Sequence, residues 1–176
     1  MCWSAFWDEP FILEQISRDG YALGPWEIPD ALFTQAIADA CNSSERFLIH
    51  LDSIPYRFVT QAMCERFIRE YPDMLGHVPV TFRNAAICLA AVKKEAENLR
   101  LVPLALRTVE LCVRALRDDS ELDDAVPLNA YSEVFDTLLK MHDKEFPLGW
   151  LYLGRADGAM YSGLFDQAMR DYQYVH

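Results

Sequence analysis

Three cysteines stand at a fixed interval, Cys64, Cys88 and Cys112. Regularly spaced thiolates are the raw material of zinc and redox sites. Equivalent positions on neighbouring packed helices, however, lie about 8 to 10 Å apart, while a zinc–sulfur bond is about 2.3 Å. The same gap is too wide for an unstrained disulfide. The ladder is therefore read as small, buried core residues. Cys2 and Cys41 complete an odd set of five with no CxxC spacing, which points to reduced thiols in a cytosol-like compartment.

The four histidines, His50, His77, His142 and His176, form no HExxH or paired-ligand spacing. His142-Asp143 matches the doublet of metal phosphohydrolases only as a dipeptide, and it is read as the end of a helix that Ser132 begins. The sequence contains no Gly-rich phosphate loop, nucleophile elbow or dinucleotide fingerprint. No catalytic, cofactor-binding or metal-binding residue is assigned.

The densest charge lies in Asp118-Asp119-Ser120-Glu121-Leu122-Asp123-Asp124. Such a run is either a solvated turn or an acidic patch for a basic protein, with Glu95, Glu97, Asp143 and Glu145 as candidate neighbours. It lacks the Gly and Glu positions of an EF-hand. Asp118, Asp119, Glu121, Asp123 and Asp124 are the candidate partner-binding carboxylates, and Trp150 and Tyr152 the candidate aromatic anchors.

These residues are set out on a repeat. Ile28-Pro29, Ile54-Pro55, Val78-Pro79, Val102-Pro103 and Val126-Pro127 recur at proline spacings of 26, 24, 24 and 24. Leu51, Leu75 and Leu99 precede their prolines by four residues, and Leu32, Phe58, Phe82, Leu106 and Ala130 follow by three. Thr34, Thr60, Asn84, Thr108 and Ser132 follow by five. Proline is preorganised for the first turn of a helix, and Thr, Asn or Ser can N-cap a second, longer one. Apolar residues three, four, seven and eight beyond the cap form one helical stripe: Met63, Cys64, Phe67, Ile68; Ile87, Cys88, Ala91, Val92; Leu111, Cys112, Ala115, Leu116. Arg69, Lys93 and Arg117 then fall where cations complement the helix dipole.

The expected fold is all-α: a short solenoid of helix–turn–short-helix units forming one domain, because a single unit cannot bury its own stripe. Residues 1–28 and 147–176, rich in Trp and Tyr, are the expected caps around repeats at 29–146. At Ser132 the repeat decays, with Asp136 in the place of Cys88 and Cys112. Four of the seven glycines fall between Gly149 and Gly163, which predicts a loop before a last helix near Leu164 to Tyr172.

The run from Asn84 to Lys94, then Asn98 to Thr108 and Glu110 to Ala115, resembles the repeats of the domain-of-unknown-function family 4116. The resemblance spans about Thr34 to Tyr131. It implies a helical repeat module and carries over no functional residue. The first units depart from the pattern at Asn42-Ser43-Ser44.

With 27 Asp and Glu against 16 Lys and Arg, the chain has a formal charge of −11, which disfavours direct nucleic-acid binding. The surplus is spread almost evenly, −6 over residues 1–88 and −5 over 89–176. The first ten residues lack the basic and apolar regions of a signal peptide, and no apolar run reaches membrane-spanning length. The expectation is a cytoplasmic, non-enzymatic module that binds, and neutralises, a basic protein such as a nuclease or toxin. The alternatives are a scaffold, or an enzyme or effector with its site in the ends, at residues such as Arg155, Asp157 and His142.

Overall fold

The computed structural model describes residues 7–18, 23–44, 48–141, 147–161 and 163–175. Among these the structure is helical, with no strand. The chain divides into two compact units, residues 1–82 and 83–176.

The first unit contains α1 (Glu9–Ser17), α2 (Gln35–Ser43) and α3 (Gln61–Glu70). Asp8 caps α1 by accepting from the Phe11 amide at 2.9 Å, and Pro10 occupies its first turn. Ile12 and Ile16 are the buried side of α1, which packs on α2. The second unit contains α4 (Ala85–Lys94), α5 (Val109–Asp118), α6 (Leu128–Met141), α7 (Leu148–Tyr161) and α8 (Phe165–Tyr172). Each of these five helices packs on the next.

The capping rule holds in detail. Thr34, Thr60, Asn84 and Thr108 are the N-caps of α2 to α5, and each side chain accepts from the amide three residues on, at 2.9 to 3.3 Å. This satisfies one of the donors that a helix start leaves unpaired. The stripes predicted for α3, α4 and α5 are buried at all twelve positions. Arg69, Lys93 and Arg117 lie in the last turns of their helices.

The prolines do a slightly different job from the one expected. Pro29, Pro55, Pro79 and Pro103 stand just before single 3₁₀ turns, and their carbonyls accept from the amide three residues on, at 2.8 to 2.9 Å. Proline's fixed φ suits this entry point, and its absent N–H is not called upon. The apolar residues before them, Ile28, Ile54, Val78 and Val102, are buried and close a preceding 3₁₀ turn. Contacts one repeat apart tie the turns together within each unit. Tyr56 Oη and Thr81 Oγ1 are 2.7 Å apart in the first, and Arg107 Nη1 donates to the Ala125 carbonyl at 2.6 Å in the second.

Two expectations fail, both near the C-terminal side. Ser132 begins no helix: it lies inside α6, which starts at Leu128 directly after Pro127. Ala130 and Tyr131 can continue a helix from the proline turn, so the short and long helices of the earlier units fuse. Nor is 149–163 a loop, because α7 runs from Leu148 to Tyr161 with Gly149, Gly154 and Gly158 inside it. A β-carbon at Gly154 would enter the Phe135 ring, and one at Gly158 would lie 2.6 Å from the Ser132 Cα. These glycines allow α7 to approach α6 closely. Gly163 is different: its φ of +74° ends the helix in the left-handed conformation, and the Leu164 amide turns back to the Ala159 carbonyl at 2.8 Å. The last helix, α8, is where it was expected.

Candidate functional site

The acidic run forms the end of α5 and a 3₁₀ helix, Ser120–Ala125, anchored by buried Leu122 and Ala125. Most of its carboxylates serve the fold. Asp118 pairs with Arg114 at 3.3 Å. Asp119 caps the 3₁₀ helix by accepting from the Glu121 amide at 3.0 Å. Asp123 accepts from the Asp124 amide at 3.0 Å and from Tyr131 Oη at 3.3 Å. Asp124 meets Arg100 Nη1 at 2.5 Å, and that guanidinium also holds Glu97 at 3.0 Å. The bond from Arg100 holds the Asp124 carboxyl below the usual carboxylate range. Glu121 is exposed. A carboxylate already paired within the chain offers an incoming cation less than its formal charge suggests.

Trp150 and Tyr152 are half-buried on α7. Trp150 tilts against Phe135 with ring centres 4.9 Å apart, and Phe135 in turn stacks on Tyr131 at 4.8 Å. Tyr152 stacks on Tyr174 at 4.8 Å, with the Arg155 guanidinium 5.1 Å from its ring centre. Both aromatics thus contribute to packing among α6, α7 and the C-terminal segment.

Arg155 and Asp157, named as possible effector residues, also have structural partners. Arg155 donates to both oxygens of the buried Asp171, at 2.8 and 2.5 Å, and to Asp136 at 3.2 Å. Asp136, in the repeat position of the cysteines, also binds Lys140 at 2.6 Å. Those bonds, from Lys140 first and Arg155 second, lower its pKa. Asp157 accepts from Tyr172 Oη at 2.6 Å. His142, Asp143 and Glu145 lie outside the described residues.

The cysteine ladder is core, as the spacing argued. Cys41, Cys64, Cys88 and Cys112 are free and fully buried. Burial pushes the thiols of Cys41, Cys64 and Cys112 up to about 11. Among the described residues there is no group of three or more His, Cys, Asp or Glu arranged to hold a metal ion, and no helix long and apolar enough to cross a membrane.

A separate concavity lies in the first unit. It is an open groove of about 540 Å³ between the 3₁₀ turns that flank Pro29, Pro55 and Pro79. Its floor is apolar and buried, built from Ile28, Phe33, Leu51 and Ile54. Its rim carries Trp26, Asp30, Asp52, Tyr56 and His77. Trp26 is 56% and Tyr56 59% exposed, and the Trp26 indole lies against Gly24, in space that a β-carbon there would occupy. Asp30 is held by Arg57 through both carboxylate oxygens, at 2.9 and 2.8 Å. Asp52 faces His77 Nδ1 at 3.4 Å.

Sequence reasoning missed this groove because its rim residues are 26 to 77 in the chain and share no motif. The signal available was the repeat itself, which places Trp26 and Asp52 at the same position, three residues before their prolines.

The chain matches no family model, no curated protein and no solved structure.

Proposed function

We propose that this protein is a non-enzymatic helical-repeat module that binds a basic protein partner. The observation that carries this reading is a set of exposed apolar side chains at one position of the repeat. The residue directly after the proline is Tyr56, Val80, Leu104 or Leu128, with exposure from 58% at Leu128 to 68% at Leu104. Folding does not require apolar side chains there, since the same turn forms after Pro29 with Asp30 in that place. Recurrent exposed apolar groups favour a protein interface, and the charge of −11 favours a cationic partner.

Stacked in-register repeats form a solenoid on this reading, with the aromatic groups at Trp150, Tyr152, Tyr161 and Tyr174 closing its C-terminal end and residues 1–28 its other end. Binding would occlude a cationic functional surface of the partner, as an inhibitor or immunity-type protein does, and the site of action would be cytoplasmic. A fold of this kind serves many functions, so the partner's chemistry decides.

The test is to purify the tagged chain from the cells that make it and identify the principal stoichiometric partner. A basic protein whose activity falls on binding is the expected result. An acidic partner, or an activity unaffected by saturating amounts of the chain, would overturn the neutralising role.

A further inference from the structure

We infer that α8 is a self-association surface: two copies of the chain pair antiparallel across it, with Asp166 of each copy facing Arg170 of the other and Met169 beside the two-fold axis. The observations are separate from those behind the basic-partner reading, which stands or falls without them.

Charge distribution is the first of them. Residues 147–176 hold Arg155 and Arg170 against Asp157, Asp166 and Asp171, a formal −1 out of the chain's −11. Arg155 is bound to Asp171, and Asp157 to Tyr172, within the unit. Two copies of an acidic protein can meet through this stretch with little like-charge repulsion, whereas a basic protein finds little there to attract it. The same stretch is apolar outside. Among the described residues, seven of the fifteen exposed large apolar side chains fall in it. Met169 is 63% and Leu164 52% exposed, and a concentration of this kind marks a protein contact where scattered single residues would not.

Self-complementarity names the occupant. Asp166, Met169 and Arg170 are all exposed, and at spacings of three and four they share one face of α8. Among the described residues neither Asp166 nor Arg170 has an ion-pair partner. Both line one open hollow of about 350 Å³ with Leu164. A β-carbon added at Gly163 beside them would meet nothing within 4 Å, so this face has room for a second helix. A two-fold axis sets residue i of one copy against j of the other, and j against i. With the axis beside position 168, positions 166 and 170 exchange, both ion pairs form at once, and Met169 lies near its own counterpart. Like charges at 166 and 170 would repel a second copy; Asp and Arg attract it. Because α8 has only eight residues, the interface is small and the dimer is of the weak, concentration-dependent kind.

Sedimentation equilibrium of the full chain at rising concentration tests this. The 20.2 kDa monomer should convert to a species of twice that mass and no larger. Asp166→Arg sets Arg against Arg at both pairs, and Arg170→Asp sets Asp against Asp. Each alone should weaken dimerisation by about tenfold or more, the scale of one interfacial charge pair. An equimolar mixture of the two variants should dimerise again, because every Arg then meets an Asp of the other chain. A local effect of either substitution on α8 would not be relieved by mixing. The inference is overturned by a chain still monomeric at about 1 mM, by assembly beyond two copies, by single variants that dimerise like wild type, or by a mixture no more dimeric than its components.

Discussion

At the scale of single residues, the charged and nucleophilic side chains divide into those that the fold consumes and those that it leaves available. The cysteines belong to the first group. Their recurrence looks like a ligand set, yet each sits on the buried stripe of its own helix, and desolvation opposes the thiolate that metal binding or nucleophilic attack would need. A Cys2→Ser variant, carrying only the four buried thiols, should therefore resist thiol reagents at pH 8 while folded and label at four sites once unfolded. Rapid labelling of the folded protein would contradict the core assignment. Asp136 shows the same economy. It replaces a cysteine of the ladder because the next helix supplies Arg155 and its own helix supplies Lys140. The acidic turn was legible as a charged bend, but the sequence could not show that Arg100, Arg114 and Tyr131 engage its carboxylates, because formal charge does not reveal pairing across repeats.

At the scale of elements, local chemistry was a sound guide wherever one cap, one stripe and one proline agreed. Thr60, Asn84 and Thr108 each start the helix that the spacing assigns to them. The reading failed where a general rule met a tertiary requirement. Ser132 could serve as a cap, but helix propensity from Leu128 onwards carries α6 through it. Glycine ordinarily marks loops, yet in α7 it marks close helix packing, which single-sequence periodicity does not disclose. Gly158→Ala separates these two roles. If Gly158 only weakened the helix, alanine would stabilise it by up to about 1 kcal/mol. Because the new β-carbon meets the Ser132 backbone, which cannot rotate aside as a side chain can, the net effect should be destabilisation of about 1 to 3 kcal/mol. The midpoint of urea unfolding measures the sign directly, and an upward shift would show that α6 and α7 are less closely packed than described.

At the scale of the whole molecule, the charge of −11 is distributed unevenly between the two compact units. The sequence halves differ by a single charge, whereas the compact units carry −7 and −4. The second unit also ties its densest acidic run to its own arginines. The first pairs Asp30 with Arg57 and sets Asp52 against His77. The repeat was legible in the sequence, and with it the all-helical class, but which carboxylates are paired across neighbouring repeats appears only in space. The central claim is that association with a cationic partner is electrostatically driven. Its most direct test is the association rate constant of the chain with its purified partner as sodium chloride is raised from low to above-physiological concentration. The rate should fall steeply over that range, as screening shortens the reach of the acidic field. A rate independent of salt, or one that rises with it, would contradict the account.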